Sequence, residues 1–301
     1  MKIKSAAWGT VLLLLIWATG CKKKDALDVT DVTEFTTQAD DQAFISSEVD
    51  AGANDINDAI AAAPALAGRG VNTSAICNAT VLIDSVSTPR SVTITYAGNN
   101  CVGNRSRYGT IKATFASGTR WKEAGAVLSV TITNLKITRL SDNRSITLNG
   151  TETITNVSGG LLVNLSSLGS ITHTIAGNLN ITFDDGSQRT WQTAKKRIFT
   201  YSNGLVITTS GNGTNGASEW GTNRKGNSFT TTIVDPLVVR QDCSFRITSG
   251  KVKHDRLGTT IVTFGLNASG VATSCPGTGS YYMKVEWTGP AGATFSGIYS
   301  Y

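Results

Sequence analysis

Five cysteines, two histidines and scattered carboxylates are the residues of this chain able to bond, ligate or catalyse. Nucleophilic hydrolysis needs a histidine beside its serine or cysteine. His173 lies in Ile171-Thr-His-Thr-Ile175, where a strand surface accounts for it, and His254 lies at the turn-like Lys253-His-Asp255. No Gly-x-Ser-x-Gly elbow accompanies them. Zinc finds no ligand set, because Cys-x-x-Cys is absent and neither histidine is spaced to a cysteine as metal ligands are. Glycoside hydrolysis asks only for two carboxyl groups at a fixed separation. Asp184, Asp185, Glu219, Asp235, Asp255 and Glu286 have the right type, although Asp184-Asp185-Gly186 reads more simply as a hairpin turn. Gly211-Asn-Gly213-Thr-Asn-Gly216 has the glycine pattern of a dinucleotide loop. That chemistry needs a helix start after the loop. Ala217-Ser-Glu-Trp220-Gly-Thr-Asn is not helical, so the stretch reads as a flexible loop and no cofactor is expected. Sugars stack on exposed indoles near polar partners. Trp121, Trp191 and Trp220 each have polar neighbours and are the candidate glycan-binding residues. Burial of the same rings against a sheet is the competing use.

The elements that position these residues begin with the amino terminus. Met1-Lys2-Ile3-Lys4 is a basic tip, an apolar run follows to Ile16, and small residues precede Cys21. This is the pattern of a secretory signal. The stretch from Ala6 to Gly20 is shorter than the roughly 20 residues of a membrane span. Ala18-Thr19-Gly20-Cys21 resembles the lipobox of bacterial lipoproteins. The resemblance implies cleavage before Cys21, lipid on Cys21 and a membrane as the first partner. Two or more acyl chains hold firmly, at about 0.8 kcal/mol per buried methylene. Lys22-Lys23-Lys24-Asp25 resembles in part the charged segment that sends Bacteroidota lipoproteins to the outer face, with one acid in place of two or three. The expected location is therefore the bacterial outer membrane, lipid-anchored and surface-exposed. Loss of Lys2 and Lys4 with residues 1–20 lowers the formal charge from +6 to +4. In the folded part no basic run exceeds Lys195-Lys196-Arg197, which argues against a nucleic-acid partner.

Lipid on Cys21 leaves Cys77, Cys101, Cys243 and Cys275, an even number in an exported chain, which argues for two disulfides. Four cysteines allow three pairings. A weak internal repeat, 77–118 and 243–290, favours Cys77–Cys101 with Cys243–Cys275. In the first copy Cys77 precedes a strand, a turn at Ser87-Thr88-Pro89-Arg90, the strand Val92–Tyr96, Cys101 and then Ile111-Lys112-Ala113. In the second, Cys243 precedes a strand, a turn at Asp255-Arg256-Leu257-Gly258, the strand Ile261–Phe264, Cys275 and then Met283-Lys284-Val285.

Residues 21–38 read as the lipidated cysteine and a polar tether. Residues 39–66 read as a helix, because Ile45, Val49, Ala53, Ile56 and Ile60 recur on one helical face. Thr37 or Asp40 is the expected cap and Ala61-Ala62-Ala63-Pro64 the expected end; the narrow apolar stripe and the acidic other face mark a core-packing helix rather than a membrane or partner helix. Residues 67–301 read as strands. Val92-Ile94-Tyr96, Ile111-Ala113-Phe115 and Leu128-Val130-Ile132 alternate with threonine, lysine and serine. Turn signals fall at Asp142-Asn143, Asn149-Gly150, Gly159-Gly160, Ser202-Asn203-Gly204 and Asn267–Gly270. The expected fold class is all-β: a long antiparallel meander forming a sandwich or a strongly curved sheet, with one amino-terminal helix.

Gly109-Thr-Ile-Lys, Ile146–Asn156, Arg224-Lys-Gly226 and Pro236-Leu237 with Cys243 and Ser249-Gly250 give most of the chain after residue 77 its resemblance to a group of uncharacterised Bacteroidota lipoproteins. The resemblance implies fold and location and brings no activity. Asp84-Ser85-Val86 resembles the O-glycosylation site of exported Bacteroidota proteins, which would make Ser85 the modified residue. The expected role is non-catalytic, binding or structural, with a glycan or another envelope protein as partner. A polysaccharide-processing enzyme is the competing class.

Overall fold

The computed structural model describes residues 29–63, 66, 76–116, 118–243, 246–256, 258–273, 275, 280–289 and 292–301. Cys21 lies outside them. Helix α1 spans Val29–Ala61. It ends where the alanine run predicts and starts well before Thr37 and Asp40, inside the segment expected to be tether, so neither residue caps it. The apolar spacing that marks a buried face begins only at Ile45, which is why the polar leading turns did not read as helix. Ile45, Val49, Ala53, Ile56 and Ile60 are all buried, and a fully buried isoleucine contributes about 1.5–3 kcal/mol.

The remaining described chain is one antiparallel sheet of 14 strands. They are β1 Ala79–Asp84, β2 Ser91–Asn99, β3 Arg105–Phe115, β4 Ala126–Arg139, β5 Ser145–Asn156, β6 Ser170–Phe183, β7 Gln188–Tyr201, β8 Leu205–Gly211, β9 Ala217–Thr222, β10 Ser228–Arg240, β11 Arg246–Arg256, β12 Gly258–Leu266, β13 Tyr282–Thr288 and β14 Thr294–Ser300. A short helix, α2, Leu165–Leu168, joins β5 to β6. Strands pair in chain order with one variation: β8 and β9 both lie between β7 and β10. They run in the same direction and behave as one strand interrupted by the Gly211–Gly216 loop. That loop leads into a strand, as its non-helical sequel requires.

The alternating positions of β2, β3 and β4 bury Val92, Ile94, Tyr96, Ile111, Ala113, Phe115, Leu128, Val130 and Ile132 as expected. The alternation slips once in β4, between Ile132 and Leu135, at a bulge where Asn134 takes a positive φ. Asn149-Gly150 is not a turn. It lies inside β5 opposite that bulge, where a Cβ on Gly150 would sit 2.3 Å from the Asn178 carbonyl oxygen. The main apolar cluster joins the α1 stripe to β2–β7 and reaches Phe229 in β10. Since α1 packs on one face of all these strands, the sheet curves around the helix.

Both disulfides form as the repeat predicts, with Cα–Cα distances of 5.1 Å for Cys77–Cys101 and 5.6 Å for Cys243–Cys275. Each ties the residue before the first strand of a hairpin to the connection after its second strand. The repeat is also one of register: Thr93 faces Lys112 across β2–β3, and Thr263 faces Lys284 across β12–β13.

Candidate functional site

Polar residues of α1 are the most concentrated source of chemistry in the described chain. Glu48 and Asp55, seven residues apart, lie on one flank of the apolar stripe; Gln42, Ser46 and Asp50, four apart, lie on the other. Glu48 Oε1 accepts from Arg105 Nε at 3.0 Å. Asp55 Oδ2 accepts from Arg107 Nη1 at 2.9 Å and from the Tyr96 hydroxyl at 2.7 Å. On the opposite flank Gln42 accepts from Arg189, Asp50 pairs with Arg197, and the Ser46 hydroxyl donates to Glu219 Oε1 at 2.7 Å. Toward the start of this stretch Asp40 accepts from Arg139 Nη1 at 2.7 Å, and Asp41 accepts from Arg224 through Nε and Nη2, each at 2.7 Å. The acidic side of the helix is therefore not a solvated face. Its carboxylates meet arginines of β3, β4 and β7 and of the β9–β10 turn.

Strand β7 makes this possible. Arg189, Trp191, Thr193, Lys195, Arg197 and Phe199 alternate inward and are all buried. Lys195 Nζ contacts Glu219 Oε1 at 2.5 Å and lies 5.4 Å from the Trp191 ring centroid. The Arg189 guanidinium lies 4.4 Å from the Phe229 ring centroid, and burial lowers its pKa to about 10. Beside this row, Glu152 projects from β5 into the space that Gly177 leaves open; a Cβ there would sit 2.8 Å from Glu152 Cγ. Burial pushes its pKa up to about 7, against the pull of Arg197 and Lys195. His173, on β6, packs edge-on to Trp121 and Phe199 and is lowered to about 4 by burial. The void between α1 and the sheet at Glu48, Gly52 and Glu152 has about 10 Å³, the space of one water. Chemically, this arrangement neutralises buried charge and fixes a helix in a trough.

The sequence-predicted residues fall elsewhere or face otherwise. Trp121 and Trp191 are 2% and 0% exposed, so neither presents a ring to a sugar. Trp121 Nε1 donates to Asn57 Oδ1 at 2.9 Å, and its carbonyl accepts from Asn156. Trp220 is half-buried on the other face of the sheet from Trp191, because its cross-strand neighbour is Gln192. The three indoles form no shared platform. His173 is buried rather than at the strand surface, and His254 lies within β11, with Nδ1 2.8 Å from the Thr231 hydroxyl, rather than at a turn. Asp185 pairs with Arg224, Asp235 with Lys251, Asp255 with Lys253 and Glu286 with Lys284. Ser85 sits in the exposed turn that the Asp84 carboxylate closes by accepting from the Val86 and Ser87 amides. Sequence reasoning missed Glu152, the α1 partners and the β7 row. Sequence carried little signal for that row: its inward positions mix Arg189, Lys195 and Arg197 with Trp191 and Thr193, and Lys196 sets a further charge on the opposite face.

Compared with protein-family models, curated proteins and solved structures, the chain matches none.

Proposed function

We propose that this chain is a lipid-anchored component of a bacterial outer membrane, displayed at the surface, whose domain works by binding or by bearing structure rather than by catalysis. The lipobox Ala18-Thr19-Gly20-Cys21 is the observation that carries the anchor. No described helix is long and apolar enough to cross a membrane. Eight peptide steps separate Cys21 from Val29, the start of α1, so they span at most about 28 Å when extended. An acylated Cys21 would thus hold the sheet close to the bilayer, through a helix whose charges are tied to β3, β4 and β7. This fits a part that must be positioned firmly. The glycan reading loses its support with the burial of Trp121 and Trp191. Metabolic palmitate labelling of the full chain in bacterial cells tests the anchor: label is expected in the parent and absent from Cys21→Ala. An unlabelled parent refutes it. Density separation of the two membranes then places the labelled protein, and protease accessibility on intact cells tests display.

A further inference from the structure

Strand β1 is the terminal strand of the sheet and, among the described residues, pairs on one side only. Exposed sheet edges carry unpaired amide and carbonyl groups, and stable monomers blunt them with charge, proline or a bulge. Within Ala79–Ile83 β1 has none of these. Its register with β2 runs unbroken from Ala79 to Asp84, and its only charge, Asp84, is at its end. Val81, Leu82 and Ile83 are consecutive and exposed, Leu82 at 66%. The Cys77–Cys101 disulfide sits just before the strand and the Asp84 turn follows it, so both its ends are fixed.

The internal repeat shows what such an edge can accept. Leu82 faces Thr93 as Lys251 faces Thr263, so β1 and β11 occupy the same place in the two copies of the unit. The outer side of β11 carries an antiparallel strand, β10. Among the described residues nothing pairs with the corresponding side of β1, and the position of Lys251 is held there by an exposed leucine.

We infer that β1 pairs antiparallel with β1 of a second copy of this chain, about a two-fold axis through Leu82. That register sets Leu82 against Leu82, Val81 against Ile83 and Thr80 against Asp84, so apolar side chains meet on both faces and the two acids stay apart. An isologous contact closes on itself with two copies and removes both β1 edges, whereas pairing β1 with β14 of the next copy is heterologous and leaves an edge at each end unless the rotation happens to close a ring. The inference does not depend on acylation of Cys21.

Cysteine cross-linking of the full chain in bacterial membranes tests it. Residues directly opposed in an antiparallel pair have Cα atoms about 4.5–5.5 Å apart, within disulfide reach. Leu82→Cys is expected to give a covalent dimer on mild oxidation, with peptide mapping showing the 82–82 bond and both native disulfides intact. Val86→Cys, more exposed at 93% but far from the axis, is expected to stay monomeric. Co-expressed Val81→Cys and Ile83→Cys should join to each other rather than to themselves. Leu82→Lys, which copies the residue of the paired unit, should abolish the non-covalent dimer of the purified full chain in sedimentation while circular dichroism stays unchanged and the melting temperature loses its dependence on protein concentration. A monomeric parent, no dimer with Leu82→Cys, equal cross-linking at Val86→Cys, or a dimer surviving Leu82→Lys would overturn it.

Discussion

Glu152 is a carboxyl group set under α1 where its ionised form is poorly solvated. Its folded pKa of about 7 exceeds the ordinary carboxyl value of 4.5. The folded state therefore holds a proton that the unfolded state releases between those values, and stability falls as pH rises through that window. The span corresponds to about 3 kcal/mol as an upper figure. Glu152→Gln lacks the titration, so its stability relative to the parent should improve by up to that amount from pH 4.5 to pH 8. Urea midpoints of both proteins across this range are the measurement, and a constant difference would mean that Arg197 and Lys195 keep Glu152 charged. His173 works in the opposite sense. Its folded pKa of about 4 lies below 6.5, so the unfolded chain takes up a proton that the folded chain refuses. Stability drops as pH falls from 6.5 toward 4. His173→Phe keeps an aromatic ring against Trp121 and Phe199 and should gain on the parent by about 3 kcal/mol over that acid window. The two slopes oppose each other in the parent, so each is visible only as a difference between variant and parent. Neither group was legible as buried. Both sit at inward strand positions, where apolar residues are the rule, and their enclosure comes from sequence-distant elements.

At the scale of elements, α1 is the best-read and the worst-read part of the chain. Its apolar stripe was legible because five residues repeat on one face. Its flanks were not, because an acid that pairs with an arginine 147 positions away, as Asp50 does with Arg197, looks in sequence like any solvated acid. The strands were legible in the same limited way: alternation located β2, β3 and β4, whereas the mixture of charged, polar and aromatic residues at the inward positions of β7, with Lys196 on the other face, hid its buried side. How tightly helix meets sheet is set at Gly52. A Cβ there would sit 2.8 Å from Ile111 Cδ1, the mobile end of a side chain. Gly52→Ala should be nearly neutral, since the methyl can rotate away and alanine favours the helix by about 1 kcal/mol. Gly52→Leu has no such escape. It should lift α1 from β3 and cost about 3 kcal/mol, read as a lowered denaturation midpoint and faster amide exchange in both elements.

At the scale of the whole molecule, the repeat that fixed the disulfide pairing has two unequal settings. In the first unit, β2 and β3 lie within the main apolar cluster under α1, and β1 meets it only at Ala79. The second, β11–β13, has a separate small cluster of Val252, Val262 and Val285, with Ile233, Leu237, Phe264 and Met283 at its margin. The main cluster ends at Phe229, and among the described residues the acids of α1 reach no further along the chain than Arg224. The pairing was legible because covalent staples leave paired marks in sequence. The inequality was not, since both copies show the same strand pattern and only the course of α1 separates them. The closed loops are of similar size, with separations of 24 and 32 residues, so chain entropy assigns each bridge about 3–4 kcal/mol. What differs is the support that remains once a bridge is cut. Cys77→Ala with Cys101→Ala should lower global stability by that amount and leave a single cooperative transition. Cys243→Ala with Cys275→Ala should instead release β11–β14 first, because little buried apolar surface holds them. Hydrogen exchange read by mass spectrometry distinguishes the cases: protection is expected to fall selectively across 246–300, with 91–201 unchanged. Uniform loss across both regions would mean that the two units fold as one and that α1 governs the carboxy-terminal strands from a distance.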